Sequence, residues 1–103
     1  MVRHVIVWTL KEASEEEKAV FRQEIREALE GLNGHIPGLV SARVYTEGLP
    51  SSNGDLMLDT LFEDEASLKA YAVHPLHVAA ANGHVHPHTA SRSCFDYIVP
   101  EEE

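Results

Sequence analysis

Apolar positions recur along this chain with two different periods. From Val2 to Leu10 the residues are largely β-branched. Alternation puts His4, Ile6, Trp8 and Leu10 on one side and Val5, Val7 and Thr9 on the other. Apolar side chains on both sides predict a strand covered on both faces. The period then changes to 3.6, with Phe21, Ile25, Ala28, Leu29 and Leu32 forming one stripe between charged residues. Ser14, followed three residues later by Glu17, is a capping-box signature for the start of that helix. Gly34 and Pro37-Gly38 mark its end. Leu39 to Thr46 and Asp55 to Phe62 read as two further strands, joined by the loop Leu49-Pro50-Ser51-Ser52-Asn53-Gly54. Asp64 is placed to cap a short second helix carrying Leu68, Tyr71 and Ala72. Pro75 predicts that this helix ends or kinks at His74, because a residue before proline is pushed out of the helical region. Leu76 to Ala81 adds a turn or two, Gly83 and Pro87 break the pattern, and Ser93 to Val99 is the last strand.

The order β-α-β-β-α-β is the ferredoxin-like arrangement, an α+β class with an antiparallel sheet and helices on one face. The opposite face is expected to hold a mixture of Leu, Met, Ile and Trp side chains. An exposed apolar patch of that size calls for a partner, and two such sheets packed face to face make a homodimer. The 103 residues suit one domain, with a short acidic tail over residues 100–103. We find no internal repeat and no linker.

The formal net charge of −9 argues against nucleic acid and against anionic membrane surfaces, both of which select clustered Lys and Arg. The apolar run Val5 to Leu10 is too short to cross a bilayer, and the N-terminus lacks a signal-peptide layout. A single cysteine, Cys94, precludes an intramolecular disulfide. Together these give a cytoplasmic protein as the default expectation.

Candidate chemistry concentrates in Tyr71-Ala72-Val73-His74-Pro75-Leu76-His77. Histidine suits proton transfer near neutral pH, and a tyrosine hydroxyl can bond a carbonyl or phenolate oxygen. The same rings could instead cap and pack a helix end. His4 and Asp96 form a second pair, since first and last strands are neighbours in this fold and a carboxylate beside an imidazole fixes its tautomer. Their contact depends on strand register. His84-Val85-His86-Pro87-His88 invites a metal reading, but no Cys or carboxylate stands nearby at zinc-like spacing. A solvent-facing loop is the better expectation. Cys94 reads as a small strand hydrophobe and Trp8 as core or interface. No phosphate loop, serine-nucleophile elbow or zinc-helix motif is present, and neither a cofactor nor a metal is expected.

Arg3-His4-Val5-Ile6-Val7, Ile36-Pro37-Gly38, Phe62, the His-Pro-x-His that follows Tyr71 and the closing Phe95-Asp96-Tyr97 together resemble the stress-responsive A/B barrel (Dabb) family of the dimeric α+β barrel superfamily. The resemblance implies paired ferredoxin-like protomers, each with a cleft between sheet and helices. Some relatives are stress-induced plant proteins that form larger assemblies, and others resemble polyketide cyclases, which work without a cofactor. Carried over from the cyclases, His77 would be general base, Tyr71 a substrate ligand and Asp96 the group orienting the histidine. His4, His74 and Trp8 would be further substrate-binding groups around a small hydrophobic carbonyl compound. Two alternatives stand beside this: a non-catalytic binding or assembly module, and a heme or oxygen-handling relative. The irregular stretch from His84 to Ser93 replaces a longer helix usual in relatives, which bears on pocket shape.

Overall fold

Strand β1 (Val2–Leu10) lies inside a four-stranded sheet, bonded on one side to β3 (Leu56–Phe62) and on the other to β4 (Thr89–Ile98). A computed structural model describes residues 1–100. The expected acidic segment Glu101 to Glu103 lies outside the described residues. β2 (Leu39–Tyr45) completes the sheet beyond β3 in the order β2-β3-β1-β4, and every pairing is antiparallel. Helices α1 (Glu15–Glu30), α2 (Glu65–Val73) and α3 (Pro75–Ala80), with a π-helical turn over Ala81–Val85, cover one face.

The capping box forms as expected. The Ser14 hydroxyl accepts from the Glu17 amide, and the Glu17 carboxylate accepts from the Ser14 amide. The stripe on α1 buries Ile25 and Leu29 against the sheet. At the far end of α1, the Asn33 side chain both donates to the Ala42 carbonyl and accepts from the Ala42 amide. The Glu30 carboxylate accepts from the Val44 amide. These bonds occupy the outer edge of β2, where unpaired backbone groups would otherwise invite another strand. Gly38 precedes β2 with φ of 82°, and a β-carbon there would lie 2.2 Å from the Ser67 hydroxyl. Only glycine serves both the backbone angle and the approach of α2.

Three sequence-based expectations need correction. Ile6 and Trp8 face the helices and are buried; they are not on the open face. The open face instead carries Val5, Val7, Met57, Leu61, Phe95 and Tyr97, with the Arg3–Asp59 ion pair at 2.8 Å among them. β1 is apolar on both sides, so its alternation did not say which side the helices take. β4 begins at Thr89, ahead of Ser93: its first residues carry no apolar alternation, yet they pair with the end of β1. The histidine tract faces solvent at His84 and His86 but is not a free loop: it starts in a π-helical turn, Val85 is buried and the segment is fixed to α1.

Ser14→Ala removes one half of the capping box and should lower stability by about 1 kcal/mol. That corresponds to a melting temperature roughly 4–8 °C lower for a domain of this size, read by thermal circular dichroism.

Candidate functional site

A cleft of about 370 Å³ opens between the helix-facing side of the sheet and the segment running from α2 through the π-helical turn. Ile6, Trp8 and Leu58 form its sheet wall, and Leu68, Tyr71, His77 and Val85 its helical wall. β4 reaches past the helix layer, so Arg92 stands at the rim beside the cleft.

The break at His74-Pro75 shapes the helical wall. His74 caps α3, its Nδ1 accepting from the Leu76 amide at 3.1 Å. That ring is occupied by capping and is not among the cleft-lining residues, so the structure does not place it as a substrate ligand. The turn after it folds His77 back over Tyr71, with ring centroids 4.2 Å apart. His77 Nδ1 lies 3.3 Å from the Ala72 carbonyl. A carbonyl only accepts, so Nδ1 carries the proton and Nε2 of the neutral ring is left as the base. Burial pushes the His77 pKa below 6.5, and the nearby His4, His86 and Arg92 push the same way, against the Ala72 bond that raises it. The ring is therefore neutral at physiological pH.

Tyr71 is 1% exposed, and its hydroxyl is shielded from solvent with no hydrogen-bond partner among the described residues. Burial raises its pKa to about 12, so the group stays a neutral donor. An unpaired buried hydroxyl costs roughly 1–3 kcal/mol. Phe62 packs edge-on against the ring with centroids 4.9 Å apart and fixes it in place.

Strand register sets His4 opposite Asp96. His4 Nδ1 bonds the Asp96 carboxylate at 2.5 Å, leaving Nε2 as that ring's acceptor when it is neutral. The backbone carbonyl of His4 accepts from the buried Thr60 hydroxyl, which holds the strand at this point. Asp96 is thus bonded to His4, while the orienting bond to His77 comes from the Ala72 carbonyl. Cys94 sits on the same side of β4, with Sγ 3.4 Å from Asp96 and 3.6 Å from His4. Burial and the Asp96 carboxylate raise the thiol pKa, so the sulfur is a thiol rather than a thiolate. Among the described residues, His4, Cys94 and Asp96 are the donor group that could hold a metal ion, their ligand atoms lying within 4.8 Å of one another.

Several cleft residues escaped the sequence reading. Arg92 shares its strand side with Cys94 and Asp96, and extending β4 backwards at period two would have found it. His86 and Asn82 line the cleft from the π-helical turn. The Glu24 carboxylate holds that turn, taking bonds from His84 at 3.0 Å and His88 at 3.2 Å, while His88 stacks on Phe21 at 4.0 Å. The two histidines, with the His84 bond foremost, hold the Glu24 pKa below its ordinary value.

A family model described as the stress responsive A/B barrel domain matches residues 2–99. The chain belongs to the stress responsive A/B barrel domain family. Among solved structures, the chain is similar to a dimeric protein of unknown function with a ferredoxin-like fold from Bacteroides fragilis. The two are 31% identical, with 93% of each chain covered and a TM-score of 0.85. It is also similar to a stress responsive A/B barrel family protein with a ferredoxin-like fold from Mesorhizobium loti, at 23% identity, 96% coverage of both chains and a TM-score of 0.74. Hydroxynitrile lyase from Passiflora edulis shares the fold at 17% identity, covering 97% of this chain and 94% of the lyase, with a TM-score of 0.71. No curated protein matches the chain in sequence. No helix among the described residues is long and apolar enough to cross a membrane.

Two outcomes follow from the site's energetics. Tyr71→Phe deletes a hydroxyl that bonds nothing in the fold, so denaturant unfolding should show equal or higher stability, by up to about 1 kcal/mol. A clear loss of stability would reveal a partner for that hydroxyl within the fold. A histidine whose folded pKa lies below 6.5 binds fewer protons folded than unfolded, so its contribution to stability falls as pH drops through 6.5 and is constant above it. His77→Gln should therefore lose less stability than the parent over that drop, in unfolding curves at successive pH values.

Proposed function

We propose that this protein is a cofactor-independent enzyme that removes a proton from the carbon next to a carbonyl in a small hydrophobic metabolite, as polyketide cyclases do. The observation that carries this reading is the buried, unpartnered hydroxyl of Tyr71 in the cleft wall beside the neutral ring of His77. A fold keeps such a donor at a cost, and a ligand oxygen is what recovers it. Because the hydroxyl is shielded from solvent, an oxygen reaches it by displacing part of the wall, and the stacked His77 ring is the adjacent group.

In this reading His77 Nε2 takes the proton from the α-carbon, and the electron pair moves onto the carbonyl oxygen, which the Tyr71 hydroxyl holds as an enolate. The enolate carbon attacks a second carbonyl of the same molecule, forming the C–C bond, and the new alkoxide takes the proton back from His77. Nothing is oxidised or reduced. Trp8, Ile6 and Leu58 exclude water from the charged intermediate. His4, anchored by Asp96, offers a second polar group on the opposite wall.

Protein in D₂O with acetophenone as a simple carbon acid tests this by proton NMR. Methyl exchange should exceed that of buffer, and His77→Ala should slow the protein-dependent part by roughly 10²–10⁴-fold. Equal exchange by parent and variant would remove His77 from the role of base.

The open sheet face supports a homodimer formed through it, and the fold neighbour from Bacteroides fragilis is a dimeric protein. Phe95 is 69% exposed there, and Val7, Met57 and Tyr45 border a 450 Å³ depression on the same side. Light scattering should give twice the 11.4 kDa chain mass. Val7→Arg, which puts a charge in the middle of that face, should give the single-chain mass with the far-ultraviolet spectrum retained.

A further inference from the structure

The cleft has a charge character opposite to that of the chain around it. Asp and Glu number 17 against 8 Lys and Arg, yet no carboxylate is among the described residues that line the cleft. The titratable groups lining it, Tyr71 aside, are basic: His4, His77 and His86 on its walls and Arg92 at its rim. Asp96, the nearest acid on β4, is taken up by His4 and by the Cys94 thiol. Arg92 makes no ion pair among the described residues, and the strand neighbour its side chain acts on is the neutral Cys94 thiol, whose pKa it lowers.

We infer that the cleft takes a carboxylate-bearing ligand, an apolar body seated against Trp8 and Ile6 with its carboxylate on the guanidinium of Arg92. This deepens the enzymatic reading above and rests on the cleft being a ligand site. A guanidinium presents paired N–H donors that match a carboxylate's two oxygens. Arg92 is exposed at the rim, so a pair formed there gains from paired hydrogen bonds and is partly screened by solvent and salt. Arg92 is the one fixed positive charge, because His77 is held neutral by burial. One fixed charge matches the single charge of a carboxylate, and a phosphate monoester would carry a second charge that no other fixed cation among the described cleft residues meets. Register brings this about: Arg92 is the β4 residue opposite Trp8, so the cation stands at the end of the aromatic wall. The position of the cation fixes the ligand's direction, carboxylate outward at the rim and carbonyl inward toward Tyr71 and His77.

Calorimetric titration with 3-phenylpropionate and with the isosteric neutral 3-phenylpropionamide tests the assignment. The parent should bind the carboxylate about tenfold tighter than the amide, the lower end of what a hydrogen bond to a charged group contributes. R92Q should reduce carboxylate affinity to that of the amide and leave the amide unchanged, and R92K should keep part of the preference. Added salt should weaken carboxylate binding alone. Equal affinities in the parent, or an R92Q variant that weakens both probes alike, would overturn the carboxylate assignment and leave the cleft as a site for neutral ligands. Binding of neither probe would contradict the cleft as a ligand site, and this inference with it.

Discussion

The antiparallel pairing of β1 with β4 is the constraint on which the site depends. Both strands contribute one side chain in two to the cleft side of the sheet, and register decides which ones meet. With Val2 opposite Ile98, the same side receives His4 with Asp96, Ile6 with Cys94, and Trp8 with Arg92. A slip of one residue would turn Asp96 and Arg92 to the open face and bring Phe95 and Tyr97 to the cleft. The backbone bonds Lys11 to His88 and Val99 to Met1 continue the pairing at the two ends, which resists such a slip.

The opposite wall rests on a helix that is made to stop. Asp64 opens α2 by accepting from the Ser67 amide, and Pro75 closes it through its effect on His74. The chain restarts at once as α3, and the resulting bend lays His77 on Tyr71. Glu24 then fixes the next turn to α1 through His84 and His88, so the cleft has a wall where a straight helix would have carried His77 away. The site combines a rigid aromatic floor with a neutral imidazole whose proton is placed by a backbone carbonyl. The depressed pKa keeps the ring unprotonated, and the tautomer leaves Nε2 as its free acceptor.

Much of the fold was legible because its signals are local. The capping box at Ser14 and Glu17, the cap at Asp64 and the break at Pro75 each act within a few residues, and each forms as read; α1 instead stops at Glu30, capped by Gly31, ahead of the Gly34 and Pro37-Gly38 signals. Family membership was legible from short motifs spread along the chain. The parts that were not legible involve partners far apart in sequence. Glu24 meets His84 across 60 positions, so nothing near the histidines announced a carboxylate. The start of β4 was hidden because Thr89 to Arg92 carries no apolar alternation. Trp8 was legible as a buried residue, but a strand apolar on both sides does not declare which side faces the helices. His74 and His77 look equivalent in sequence; the helix break separates them, giving one ring to capping and the other to the cleft.

The central claim is that His77 is a neutral base with its proton on Nδ1. Nitrogen-15 NMR of the histidine rings across a pH titration reads both properties in the unmodified protein. The account predicts an Nδ1-protonated tautomer for His77 and a pKa below 6.5. An Nε2-protonated ring, or a pKa above that value, would contradict it.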